Sequence, residues 1–295
     1  MSCELNKVES SVKGYEVPLT LNIRGRLVEF SRPWVMGILN LTPDSFFPGS
    51  RTLDGEEALK RVRGMIRQGV DIIDIGGCST RPGSESVTAE EELLRLAPVL
   101  EAIRKEFPDI LISVDTFRSS VAEECLERWK VDIINDISGG EDPEMFHVVA
   151  AAGACYVLMH MRGTPADMDT RCVYAADVTT EVIKELAFKL DRARLAGVAN
   201  VIVDPGFGFA KNSEQNYELL ANLEKLKVLE CPILVGLSRK RMVRDAAGCD
   251  VADALIPTVA MNAAAILNGA NIIRAHDVAE ACLTAKAMEK LTINI

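Results

Sequence analysis

Eight times along the chain a short apolar run is followed by a longer stretch whose apolar residues recur at helical spacing, an order that few architectures accept. The runs fall at 34–40, 72–75, 110–114, 133–134, 154–159, 201–203, 233–235 and 271–273, most of them continuously apolar, as a strand buried on both faces requires. The first of the longer stretches, 53–68, carries Ala58, Leu59, Val62, Met65 and Ile66 on one helical face. Further helices are predicted at about 89–106, 119–129, 143–152, 178–196, 213–229, from 239 onward, and at 278–290. Parallel strands alternating with helices predict an α/β chain folded as a single closed (β/α)8 TIM barrel. The alternative is an open sheet of the dinucleotide-binding kind, but no GxGxxG follows the first strand. Upstream, 17–30 (VPLTLNIRGRLVEF) alternates at Leu19, Leu21 and Ile23, turns at Arg24-Gly25 and resumes at Leu27. It reads as an N-terminal β-hairpin that plugs the bottom of a barrel domain spanning 17–295, preceded by an extension at 1–16.

Charge and cysteine usage narrow the function. A net charge of −10 and the lack of a long Lys/Arg run argue against a nucleic-acid partner, since phosphate neutralisation needs a basic face. The most apolar stretch, 251–267, is broken by Asp253, Pro257 and Asn262 and falls short of the roughly 20 residues a membrane span needs. The first fifteen residues mix Glu4, Lys7, Glu9 and Lys13 and resemble neither a signal nor a transit peptide. Eight scattered cysteines without a CxxC pair suit reduced thiols, so the expected location is cytoplasmic.

In a closed barrel the C-terminal ends of the strands share one pocket. Those ends carry Asn40, Asp74, Asp115, Asn135, Met159-His160, Asp204, Ser238 to Lys240, and Arg274 with His276. Asp, Asn and Ser also serve as helix caps and turn formers, and any one of them alone reads equally well that way. Asp115, Asn135 and Asp204 offer acceptors for the edge of an amidine-like heterocycle, whereas Arg81, Lys240, Arg274 and His276 offer positive charge. A ligand with a polar aromatic base at one end and phosphates at the other satisfies both halves. Arg239, Arg241 and Arg244, in the run SRKRMVR, read as solvated. Three histidines without HxH or HExxH spacing speak against a tightly held zinc, while magnesium riding on substrate phosphates is compatible.

Ordered motifs from about 34 to 290 resemble the dihydropteroate synthases of folate biosynthesis: GILNLTPDSF, DIIDIGGCSTRPG, SVDTFR, INDISG, LMHMRGTPADM, DPGFGFAKN, GLSRK and RAHDV. The resemblance implies a transferase that condenses 6-hydroxymethyl-7,8-dihydropterin diphosphate with 4-aminobenzoate. Its products are 7,8-dihydropteroate and diphosphate. It further implies that Asp115, Asn135, Asp204 and Lys240 hold the pterin, with Met159 against it. Asn40, Arg81, Arg274 and His276 then hold the diphosphate, Asn40 beside Mg2+. Thr80, Arg81 and Pro82, with Phe46, Phe209 and Ser238, shape the aminobenzoate pocket when the first two loops close. Arg81, Lys240, Arg274 and His276 are the implied catalytic groups, and members of the family are typically homodimers.

The chain departs from the family pattern at three places. Cys78 stands where many relatives have Glu, Arg162 where Gln is common, and the first loop continues FPGSR around Pro48 instead of an acidic, glycine-rich stretch. Two other readings are a methyltetrahydrofolate-using methyltransferase barrel and a catalytically silent pterin-binding barrel. The cations at 81, 240, 274 and 276 weigh against the first, and the loop arginines with Lys240 against the second.

Overall fold

The computed structural model describes residues 19–41, 55–78 and 87–292. Phe46, Thr80, Arg81, Pro82 and the extension at 1–16 lie outside them.

The chain begins with an antiparallel hairpin, β1 (Thr20–Ile23) and β2 (Arg26–Glu29). Its two-residue turn, Arg24-Gly25, has φ of 51° and 82°, the double positive φ whose twist matches the flanking strands. Then come β3 (Trp34–Asn40), α1 (Gly55–Gln68), β4 (Ile72–Gly76), α2 (Ala89–Glu106), β5 (Leu111–Asp115), α3 (Ser119–Arg128), β6 (Ile133–Asp136) and α4 (Met145–Ala152). The second half comprises β7 (Cys155–Met159), α5 (Val178–Leu195), β8 (Asn200–Asp204), α6 (Ser213–Ala221), β9 (Leu234–Val235), α7 (Arg241–Ala247), α8 (Leu255–Leu267), β10 (Ile272–Ala275) and α9 (Val278–Thr292).

The strands after the hairpin are parallel and neighbour one another in the order β8-β7-β6-β5-β4-β3-β10-β9. A parallel bridge between Val203 and Ile233, with Val203 N–H donating to Pro232 O at 2.9 Å, joins the two ends of that order. The sheet is therefore a barrel, which removes the open-sheet alternative. Side chains alternate across each strand, so one set points to the helices and the other into the barrel. The outward set, with Val35, Ile73, Ile112, Ile134, Tyr156 and Val203 among it, forms the larger core with the surrounding helices. The inward set starts apolar: Met36, Ile72, Leu111, Ile133, Ile202 and Ile272 form a second core with Leu21, Ile23, Val28 and Phe30 of the hairpin. The hairpin thus closes the N-terminal mouth, tied there by Asn22 N–H to Asn200 Oδ1 (2.7 Å) and Arg24 Nη1 to Val131 O (3.1 Å).

Several sequence boundaries shift. The helix expected at 213–229 ends at Ala221, where Asn222 leaves the helical region (φ −110°) and its side-chain amide competes for Glu218 O at 2.8 Å, and a 3-10 segment Leu223–Leu229 follows. The helical sequence after 239 is two helices, separated at Gly248, which caps α7 in the left-handed region. Ser119 is the first residue of α3, and Arg118 before it caps the helix without a side-chain bond. The Ser119 N–H is satisfied by Asp142 Oδ2 at 2.8 Å, a carboxylate from the next loop.

Candidate active site

Following the inward set along each strand leads from hydrocarbon to polar atoms. Two residues beyond Ile72 is Asp74, beyond Ile133 is Asn135, beyond Ile202 is Asp204 and beyond Ile272 is Arg274; Leu111 leads through Ser113 to Asp115, and Met36 through Ile38 to Asn40. The strand register sets Asn40 beside Gly76, Gly76 beside Asp115 and Asp115 beside Asn135, so these ends form one rim. Gly76 keeps it open: a Cβ there would lie 3.4 Å from Asn40 Oδ1.

Arg274 is the hub of the rim. Its Nε donates to Asp74 Oδ2 at 2.6 Å and its Nη2 to Asp115 Oδ2 at 2.7 Å. Asn135 Nδ2 also donates to Asp74 Oδ2, at 3.1 Å. Asp74 is fully buried and lies in the middle of β4 rather than at its end, and its Oδ1 has no hydrogen-bond partner. Arg274 likewise lies within β10, one turn of pleat lower than a residue past the strand would. Burial works against its charge, but Asp74 and Asp115 outweigh that and hold the guanidinium above its ordinary value. Burial raises Asp115 to about 7, against the pull of Arg274 and aided by repulsion from Asp74.

The far side of the rim is made by the segment after β8. Asp204 is buried, which raises its carboxyl although Lys240 pulls the other way. Its Oδ1 accepts Gly206 N–H at 2.7 Å and its backbone oxygen accepts His160 N–H at 2.9 Å. Gly206 has φ +69° and passes so close to β7 that a Cβ would sit 2.0 Å from His160 O, hence the glycine. Phe207 is wholly buried and belongs to the outer core, whereas half-buried Phe209 packs against the small apolar cluster around Met159. Lys240 donates to Phe207 O and stands 4.8 Å from the Phe209 ring centroid. Burial lowers its ammonium to about 8, with Asp204 opposing. Lys240 is the residue just before α7, with extended backbone, rather than a member of its first turn. Met159 adjoins Ile137, Met161, Met168 and Ala210 in a small apolar cluster that lines this side.

Ser238 and His276 meet at the next pair of strand ends: Ser238 Oγ accepts His276 N–H at 3.2 Å and lies 3.1 Å from its Nδ1. The imidazole is exposed. Arg239, expected to be solvated, instead grips Asp277 through Nε (2.8 Å) and Nη2 (2.9 Å), a bidentate pair that joins this loop to the start of α9.

Sequence reasoning passed over a second polar chain behind the pocket wall. Buried Lys211 donates to Gly206 O (3.0 Å) and Phe209 O (3.1 Å) and lies 2.9 Å from His160 Nδ1. His160 Nε2 is 3.0 Å from Glu185 Oε2, and Arg162 Nε donates to Glu185 Oε1 at 2.9 Å. Burial, with Lys211 beside it, lowers His160 to about 4; burial lowers Lys211 to about 7, against Asp204. Against its own burial, hydrogen bonds from His160 and Arg162 hold Glu185 down to about 2. Arg162 also lies 4.0 Å over the Tyr174 ring. The signal in the sequence was Arg162 at a position where the family pattern has glutamine, but its partner Glu185 lies on a distant helix.

Among the described residues no group of three or more His, Cys, Asp or Glu is arranged to hold a metal ion. The rim offers an ion Asn40 Oδ1, an oxygen donor of the kind magnesium takes, and the donor set fits an ion that brings its other ligands with it.

Compared with known proteins, residues 36–276 match the family model described as pterin binding enzyme. The mitochondrial folate synthesis bifunctional protein of Arabidopsis thaliana is 43% identical over 300 residues, which cover 96% of this chain. The chain spans about half the length of that relative (54%). Dihydropteroate synthase of Escherichia coli K12 is 40% identical over 92% of this chain and 96% of its own. The crystal structure of Yersinia pestis dihydropteroate synthase, in complex with a sulfonamide drug, superposes with a TM-score of 0.87 at 39% identity, covering 94% of this chain and all of that one.

Proposed function

Because this chain belongs to the pterin binding enzyme family, we propose that it is a dihydropteroate synthase, a transferase that joins 6-hydroxymethyl-7,8-dihydropterin diphosphate to 4-aminobenzoate. The observation that carries the reading is the rim itself: acceptors on Asp115, Asn135 and Asp204 face the same pocket as the cations Lys240 and Arg274. A pterin presents a ring N–H and an exocyclic amine side by side, the pattern that paired oxygen acceptors recognise. Met159 supplies apolar surface for its face.

In the reaction the C–O bond of the substrate's methylene breaks, with its electron pair leaving on diphosphate. The arylamine nitrogen then forms the new C–N bond and one amine proton is released. The electron-rich dihydropterin stabilises the cationic methylene between these events, so no protein nucleophile is needed. Arg274, His276 and Arg81 take the developing anion, and the N–H groups of Arg274 not spent on Asp74 and Asp115 are its donors. Asn40 would hold a magnesium ion carried by the diphosphate, and the ion would supply charge for the departing anion. The aminobenzoate is assigned to Phe209 and Ser238 with Phe46, Thr80, Arg81 and Pro82. A homodimer is part of the proposal, supported by exposed Ile256, Leu267 and Leu283 on α8 and α9. Among the described residues no helix is long and apolar enough to cross a membrane.

Binding of 6-hydroxymethylpterin, followed by calorimetry, tests the pocket. Asp204→Asn replaces an acceptor by a group that can donate, and is expected to weaken binding by about 1–3 kcal/mol. Affinity unchanged in the variant removes Asp204 from the pterin site.

A further inference from the structure

We propose that Lys211 is a positioning residue for this reaction: from behind the pocket wall its ammonium staples the segment after β8, and through that segment it sets where Lys240 stands. The proposal rests on reading the pocket as the pterin site. Lys211 is buried at the far end of DPGFGFAK and spends its donors on the same segment, reaching back to Gly206 O and Phe209 O. Its remaining neighbour is His160 Nδ1, which acts as acceptor when Nε2–H is directed at Glu185. The segment in turn carries both partners of Lys240, the carbonyl of Phe207 and the ring of Phe209. A water-filled wall would leave these carbonyls to solvent; here one side chain fixes two of them about a residue whose own carbonyl holds Lys240. Losing Lys211 therefore frees Phe209 and shifts Lys240 while leaving Asp115, Asn135 and Arg274 in place, since those are held from β4, β5, β6 and β10.

The test uses the full chain. Without ligand, Lys211→Met is expected to speed amide exchange across residues 206–210 by about tenfold or more and to leave α5 unchanged. Lys211→Gln, whose amide still donates two hydrogen bonds, is the milder variant and is expected to fall between. Exchange that is the same in both variants as in the parent overturns the staple. In turnover, Lys211→Met is expected to raise KM for the dihydropterin diphosphate about tenfold and KM for 4-aminobenzoate, whose pocket Phe209 borders, by no more than about threefold, with kcat within about twofold. Combined with Lys240→Ala it is expected to add nothing to the KM for the dihydropterin diphosphate beyond Lys240→Ala alone, because Lys211 acts on that substrate through Lys240. Additive losses, or an equal rise in both KM values, overturn the proposal. A parent protein that does not use the pterin substrate defeats the reading of the pocket, and amide exchange then decides the staple by itself.

Discussion

At the scale of single residues the pocket is organised by Arg274, which holds two carboxylates at once. That changes what its removal does. A cation that served the diphosphate alone would cost turnover and spare pterin binding. Arg274→Ala instead also strands Asp74, fully buried, and Asp115 without their counter-charge. The expected result is loss of both turnover and pterin affinity, with a fold destabilised by about 3–5 kcal/mol in urea titrations. Pterin affinity equal to that of the parent contradicts the hub. The acceptors of the rim were legible in the sequence because each follows an apolar run by a fixed step. The Asp74–Arg274 pair was not, since its members are 200 positions apart and no local pattern links them.

Elements carry the next layer of the account. The segment after β8 reads in the sequence as a glycine-rich turn, and its glycines were visible as such. What it turns against is tertiary: His160 and Arg162 come from the loop after β7, and Glu185 from α5. A lysine in such a loop reads as solvent-facing, and only its position behind the wall makes Lys211 a buried donor. The same chain predicts a pH dependence. Burial holds His160 at about 4 in the folded protein, whereas it titrates near 6.5 when unfolded. Between those values the unfolded chain binds more protons, so stability rises with pH across that window and is lost as pH falls from about 6.5 to 4. His160→Gln is expected to remove that share, roughly 2–3 kcal/mol, and to flatten the change of urea midpoint between pH 6.5 and 4. An unaltered slope contradicts a neutral buried His160.

The whole molecule is a barrel with a plug at one end and a polar rim at the other. The alternation of apolar runs with amphipathic stretches made the barrel legible, because eight parallel strands with helices between them have few ways to hide both faces. Its closure was less so: β9 has only two residues, and the joint between β8 and β9 rests on a single bridge beside Pro232. The hairpin was legible as a hairpin, and its place at the N-terminal mouth follows from Leu21, Ile23, Val28 and Phe30 needing the apolar half of the interior. Ile23, fully buried there, is far along the strands from the rim. Ile23→Ala is expected to lower stability by about 2–5 kcal/mol and to leave the kcat/KM of the folded protein unchanged. The central claim is that the rim joins a pterin to an arylamine. The most direct measurement mixes the purified chain with 6-hydroxymethyl-7,8-dihydropterin diphosphate, 4-aminobenzoate and magnesium, and follows 7,8-dihydropteroate and diphosphate. Their appearance in equal amounts is the predicted result, and a folded protein that binds the pterin yet forms neither product would contradict it.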